Sequence, residues 1–280
     1  MSLRSTLKSV LPRQAWHGLR RLYYAPQDVA ARVRQGSSAL IPPRHMVNTI
    51  GGGDAQVVGR EFFRHFVDVG GLRANDSVLD VGCGVGRMAL PLTEFLTPKA
   101  RYEGFDIAAD EIRWCARHIT RKYPNFRFQV SDVYNAVYNA RGTLPAAHYR
   151  FPFEDGEFSF VFLTSVFTHL RPDDQRNYLF EAARVLRPGG RLFATFFLLN
   201  AESVALITAG NSSLNFAHAL DGCRTTDRNT PELAIAFQEE MIVGLHREAG
   251  LEAYGPIHHG SWCGRTRFLS YQDIVVCIKR

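Results

Sequence analysis

Five short apolar runs, spaced by stretches of helical periodicity, constrain the fold more than any other feature of this chain. They are SVLDVG (77–82), YEGFDI (102–107), FRFQVSD (126–132), FSFVFLTS (158–165) and RLFATFFLL (191–199). FSFVFLTS is apolar almost throughout, as a strand covered on both faces must be. Between the runs, 87–95, 109–123 and 173–186 read as helices, the second with Ile112, Cys115 and Ile119 inward, and LRPGG (186–190) reads as a turn. Such alternation predicts a mostly parallel sheet wrapped by helices, with ligands at the carboxyl ends of the strands.

The flanks are read from weaker signals. Residues 3–24 predict an amphipathic helix with Leu3, Leu7, Val10 and Leu11 on one face and Pro12 interrupting it; 27–34 predicts a second. IPPR (41–44) imposes extended backbone, and GGGD (51–54) is a loop ending in a helix cap. A helix over 55–69 follows, with Val58, Phe62, Phe66 and Val69 at helical spacing, stopped by Gly70 and Gly71. Past the fifth run, 200–229 is expected to be a polar, loop-rich insertion serving as a substrate lid. Then come a helix over 231–249, a strand near 251–258 and a final strand over 271–278. Residues 1–54 thus form a basic extension and 55–280 one α/β domain.

At 280 residues and 46% hydrophobic, the chain can bury a large core. No apolar run approaches the ~20 residues that span a bilayer. The N-terminus lacks an apolar signal core and a small-residue cleavage site. Five cysteines (83, 115, 223, 263, 277), an odd number without a CxxC pair, suggest neither disulfides nor a zinc ribbon. A cytoplasmic setting, with membrane association through the basic arm as an option, is the expectation. Of the net charge of +6, much lies before residue 50, where Asp28 is the single acid against eight Lys and Arg. Such an arm suits solubility, acidic lipid headgroups, nucleic acid or an anionic substrate.

In VLDVGCGVGR (78–87), Gly82, Gly84 and Gly86 follow a strand and precede a helix. They allow a tight turn and let a ligand lie against the backbone at a helix N-terminus. The dinucleotide pattern G-x-G-x-x-G would need glycine where Arg87 stands. Asp80 at the strand end disfavours a pyrophosphate and favours a ligand with a cationic part.

With these motifs in this order, the chain over about 55–280 resembles the class I S-adenosylmethionine-dependent methyltransferases. The resemblance implies a Rossmann-like sheet, mostly parallel with a terminal antiparallel strand and helices on both faces, to which the helical N-terminal extension read above is added. It implies S-adenosyl-L-methionine as cofactor and S-adenosyl-L-homocysteine as product. The turn of Gly82, Gly84 and Gly86, flanked by Asp80, Cys83 and Arg87, would hold the methionine part. Cys83 suits packing there, and Arg87 either steadies the cofactor carboxylate or caps a surface. Asp106 would take the ribose hydroxyls, a fit that carboxylate oxygens offer in any family. Ile107 would pack on adenine. Asp132 in FQVSDV would accept from the adenine amine, with the Val133 amide alongside. Thr164 and Ser165 of LTSVFTHL would border the transfer site.

The chemistry implied is in-line displacement, to which the protein contributes chiefly proximity. For an oxygen acceptor a base is needed, and His169 is the candidate; the other reading is that it orients the helix after strand four. His148 and the pair His258–His259 are further candidates. That pair lacks a third ligand, and neighbours on a strand face opposite ways, so no metal site is expected. Trp262, Phe216, Tyr134, Tyr138 and Phe237 could cover a substrate or fill the core. His45 and the GGGD loop would close from the N-terminal side. Neither an NPPY-type motif nor a Pro-Cys nucleophile is present, which favours a small-molecule acceptor, a sugar or secondary metabolite methylated at oxygen, over nucleic acid. RNA or a lipid-linked substrate is the alternative; a nicotinamide-dependent oxidoreductase and a silent cofactor-binding module are the rival classes.

Overall fold

The computed structural model describes residues 13–35, 40–48 and 53–280. Leu3, Leu7, Val10, Leu11, Pro12, Gly51 and Gly52, named above, lie outside the described residues. α1 (Arg13–Gln35) is one helix where two were predicted, and it runs through Pro26. Pro26 removes the donor to the Leu22 carbonyl, but both residues are exposed, so water can satisfy that carbonyl. After the extended backbone of Pro43 comes the helical turn α2 (Arg44–Val47). α3 (Ala55–Asp68) is capped by the Asp54 side chain, which accepts from the Gln56 and Val57 amides.

The five runs become β1 (Val78–Val81), β2 (Tyr102–Asp106), β3 (Phe126–Val130), β4 (Phe158–Leu163) and β5 (Leu186–Phe196). Between them stand α4 (Ala89–Phe95), α5 (Ala109–Cys115), which a π turn over Ala116–Thr120 extends, and α6 (Pro172–Val185). LRPGG is not a free turn. Leu186 pairs with Phe158, and the register then shifts so that Arg191 pairs with Phe160; the residues between form a bulge inside β5.

The C-terminal third departs further from the reading of its sequence. After β6 (Leu198–Leu199), the stretch 200–229 holds α7 (Ala201–Thr208) and the hairpin of β7 (His218–Leu220) and β8 (Cys223–Thr225). The helix expected over 231–249 is split: Pro231–Leu233 is a 3-10 turn, IAFQ forms β9 (Ile235–Gln238), and α8 (Glu239–Glu248) is the α-helical remainder. β9 buries Ile235, Ala236 and Phe237 completely by pairing with β8 and β6, partners remote in sequence. β10 (Leu251–Ala253) and β11 (Asp273–Lys279) complete the chain.

The main sheet has the order β10-β11-β5-β4-β1-β2-β3, and a smaller sheet runs β6-β9-β8-β7. β3, β2, β1, β4 and β5 are parallel, and β11 is antiparallel to β5. The strand order reverses beside β1, which leaves a crevice at the carboxyl ends. One core fills the face under α6 and α8; a second lies under α3 and α4, centred on Phe66, Phe160, Phe162 and Phe193. Among the described residues no helix is long and apolar enough to cross a membrane.

Candidate active site

A cleft of about 1590 Å³ opens at the ends of β1, β2 and β4. That exceeds the ~300–1,000 Å³ of an ordinary small-molecule pocket. Its floor begins at the glycine turn, where Gly82, Gly84 and Gly86 all take positive φ (77°, 51° and 74°). A Cβ on Gly82 would sit 2.4 Å from Val166 Cγ2, and one on Gly86 2.9 Å from Ile119 Cδ1, so side chains are excluded on both counts. The turn is tied to β2: the Gly84 amide donates to Asp106 Oδ2 at 2.7 Å, and the Ala108 amide to Oδ1 at 2.8 Å. Burial raises the Asp106 carboxyl, against the pull of these amides. Each oxygen retains capacity for a further donor.

Asp80 is fully buried. Tyr102 Oη donates to its Oδ2 at 2.5 Å, while Oδ1 has no hydrogen-bond partner among the described residues. Burial pushes this carboxyl up to about 8; Tyr102 and Arg87 pull it down, and Asp106 pushes it up. Arg87 borders the cleft, its guanidinium lowered by burial and raised by Asp80. Burial raises the Cys83 thiol well above its usual value, which suits packing rather than nucleophilic attack.

Ile107, Val133, Thr164 and Ser165 line the cleft, as Gly82, Cys83, Gly84, Arg87 and Asp106 do. Asp132 does not. It is exposed, and its Oδ2 accepts from Thr143 Oγ1 at 2.5 Å, because 132–144 doubles back and the Thr143 and Leu144 amides donate to the Asp132 carbonyl. Ser131 and Val133 face the cleft in its stead. Ser165 holds φ 60°, the one positive value among the described non-glycine residues. Its amide donates to Thr195 Oγ1 at 2.7 Å and its hydroxyl to Gln272 Oε1 at 3.0 Å; Thr195 Oγ1 donates to the same oxygen at 2.6 Å. This three-residue knot fixes the strained turn.

His169 also lines the cleft. Its Nδ1 lies 2.9 Å from the Glu232 carbonyl, which can only accept, so Nδ1 carries the proton and Nε2 is the basic atom. Nε2 lies 3.4 Å from Tyr138 Oη, and burial lowers the imidazole below its usual value. Asn135 presents Tyr138: its Oδ1 accepts from the Val137 and Tyr138 amides, each at 3.0 Å, while its Nδ2 donates to the His169 carbonyl at 3.4 Å. This Asx turn and Gln272 escaped the sequence reading. An Asn two residues before the turn it caps was the available signal for the first; nothing local signals the second.

Tyr134 and Tyr138 border the cleft, but Trp262, Phe216 and Phe237 are core residues. Trp262 stacks edge-on against Phe197 and Phe216, and its Nε1 donates to Asp273 Oδ2 at 2.7 Å. No residue of 200–229, the expected lid, lines the cleft. The cover comes instead from α1, through Arg20, Arg21, Ala25, Asp28 and Val29, with His45 and Gly53 beside it. His148 is exposed. His259 Nε2 meets Glu239 Oε2 at 2.9 Å, whereas the backbone of His258 pairs with Ile274. Among the described residues no group of three or more His, Cys, Asp or Glu is placed to hold a metal ion.

Residues 78–190 match the model of a methyltransferase domain. The chain is 31% identical over 181 residues to a 27-O-demethylrifamycin SV methyltransferase of Amycolatopsis mediterranei, covering 65% of this chain and 56% of that one. It is 27% identical over 198 residues to a tRNA N(3)-methylcytidine methyltransferase of Drosophila melanogaster, covering 68% and 55%. The chain therefore spans about half the length of these curated relatives. Among solved structures, the 1,6-didemethyltoxoflavin-N1-methyltransferase of Burkholderia thailandensis shares the fold with a TM-score of 0.50 and 17% identity, over 96% of this chain and 91% of that one.

Proposed function

We infer, for a chain whose residues 78–190 belong to the methyltransferase-domain family on a class I fold, that it is an S-adenosylmethionine-dependent methyltransferase acting on a small molecule. The observation that carries this reading is the bonding of the Gly82–Gly86 turn to Asp106 at the floor of one cleft. The cleft fits the cofactor in three respects. Gly82 leaves no room for a side chain, a buried acceptor on Asp80 lacks a hydrogen-bond partner among the described residues, and Asp106 keeps acceptor capacity. When bound, the cofactor supplies a methyl group activated by a sulfonium centre. Asp80 would face its cationic amino-acid end, Asp106 the ribose hydroxyls, and Ile107, Ser131 and Val133 the base.

His169 Nε2 is the atom that takes a proton from an acceptor hydroxyl, with Tyr138 aligning that hydroxyl beside it. The low proton affinity of the buried ring keeps it neutral at working pH. Thr164 and Ser165, on the strained turn, set the distance of approach. The α1 cover and the wall of Tyr134 and Tyr138 enclose the acceptor end and so favour a small or slender acceptor, methylated at oxygen. A second reading, RNA, draws on the tRNA-modifying relative and on Arg20, Arg21, Arg113, Arg117 and Arg141 around the cleft.

Incubating the protein with methyl-labelled S-adenosylmethionine and fractionated cell extract tests this. Label in a low-molecular-weight product, lost in His169→Gln, is the expected result. Label confined to the RNA fraction would reverse the order of the two readings, and no label in any fraction would remove the transferase.

A further inference from the structure

α1 carries its apolar residues outward. Leu19, Leu22, Val29 and Val33 recur three, four or seven positions apart on one side; Leu22 is 73% and Val33 78% exposed, and Tyr23 flanks them. The opposite side, with Tyr24, Asp28 and Ala31, is half-buried, and Asp28 Oδ1 accepts from the Arg44 amide at 3.1 Å. Arg21 borders the apolar stripe on one flank and Arg34 on the other.

An apolar stripe between arginines suits the plane between headgroups and acyl chains of an anionic bilayer. A second copy of the chain fits less well, since Arg21 and Arg34 would meet like charge in a segment with a single acid. RNA would engage the arginines and leave the stripe in water. Val29 belongs both to the stripe and to the cleft lining, so whatever surface the stripe meets adjoins the cleft mouth.

We propose that α1 docks in the headgroup plane of an anionic membrane, apolar side down, and sets the cleft mouth at the lipid surface. The docking does not depend on the chemistry inside the cleft. It is tested by flotation of the full chain with phosphatidylcholine vesicles and with vesicles of equal parts phosphatidylcholine and phosphatidylglycerol. The expected result is binding to the second kind only, weakened about tenfold or more by Leu22→Asp with Val33→Asp, and weakened in part by Arg34→Gln. Circular dichroism and S-adenosylhomocysteine affinity, unchanged in both variants, exclude unfolding as the cause. Four results overturn the proposal: no binding to either vesicle; equal binding to both; binding indifferent to Leu22→Asp with Val33→Asp; or a dimer in solution that these substitutions dissociate.

Discussion

Burial pushes the Asp80 carboxyl up to about 8, so without a cation beside it the group is largely protonated at neutral pH. A raised carboxyl contributes stability below its unfolded value of 3.8, and that contribution is lost as pH rises toward 8. A cationic ligand beside Oδ1 reverses the preference and expels the proton. Binding of S-adenosylmethionine should therefore tighten as pH rises toward 8, with release of about one proton at neutral pH and little well above 8. Calorimetry in buffers of differing ionisation enthalpy measures this directly, and Asp80→Asn should abolish both effects. Affinity flat with pH, or unchanged in the Asn variant, would remove Asp80 from the ligand site. The sequence exposed Asp80 and Asp106 because each ends an apolar strand before a glycine or helix start. It misled at Asp132, whose strand-end position looks alike but whose side chain is taken by Thr143, eleven residues on, in a loop without periodicity.

Among the elements, β1, β2 and β4 were legible because each is a contiguous apolar run buried almost throughout, and β5 because 190–196 is; β3, at the sheet edge, is buried only at Phe126. β9 was not, since Ile235 to Phe237 gain their burial from β6 and β8, whose pairing no local pattern encodes. α1 was misread at Pro26, which breaks buried helices more surely than exposed ones. The junction of β11 with the end of β5 is a third non-local feature, and it can be tested. Asp273 is fully buried and accepts from the Leu198 amide at 2.7 Å, the Gly260 amide at 2.6 Å and Trp262 Nε1 at 2.7 Å, with Arg265 at 3.4 Å. Asp273→Ala strands three buried N–H donors, while Arg265 keeps Glu202, Asn200 and the Gly260 carbonyl, so we expect a loss of more than about 3 kcal/mol. Urea denaturation would show it; a loss below about 1 kcal/mol would mean that water replaces the carboxylate without cost.

At the scale of the molecule, the parallel sheet, the glycine turn and the reversal of strand order place the acids of β1 and β2 in one crevice. α1 and 134–141 wall it, and His169 lines it beside Tyr138. Every part of the chemistry inferred here depends on that crevice accepting an adenosyl group in one orientation. Diffraction from crystals grown with S-adenosylhomocysteine tests this most directly. The prediction is density along the ends of β1, β2 and β4, with both ribose hydroxyls within hydrogen-bond distance of Asp106 and the amino group beside Asp80. Density at another place on the protein, or a cleft filled by water alone at saturating ligand, would contradict it.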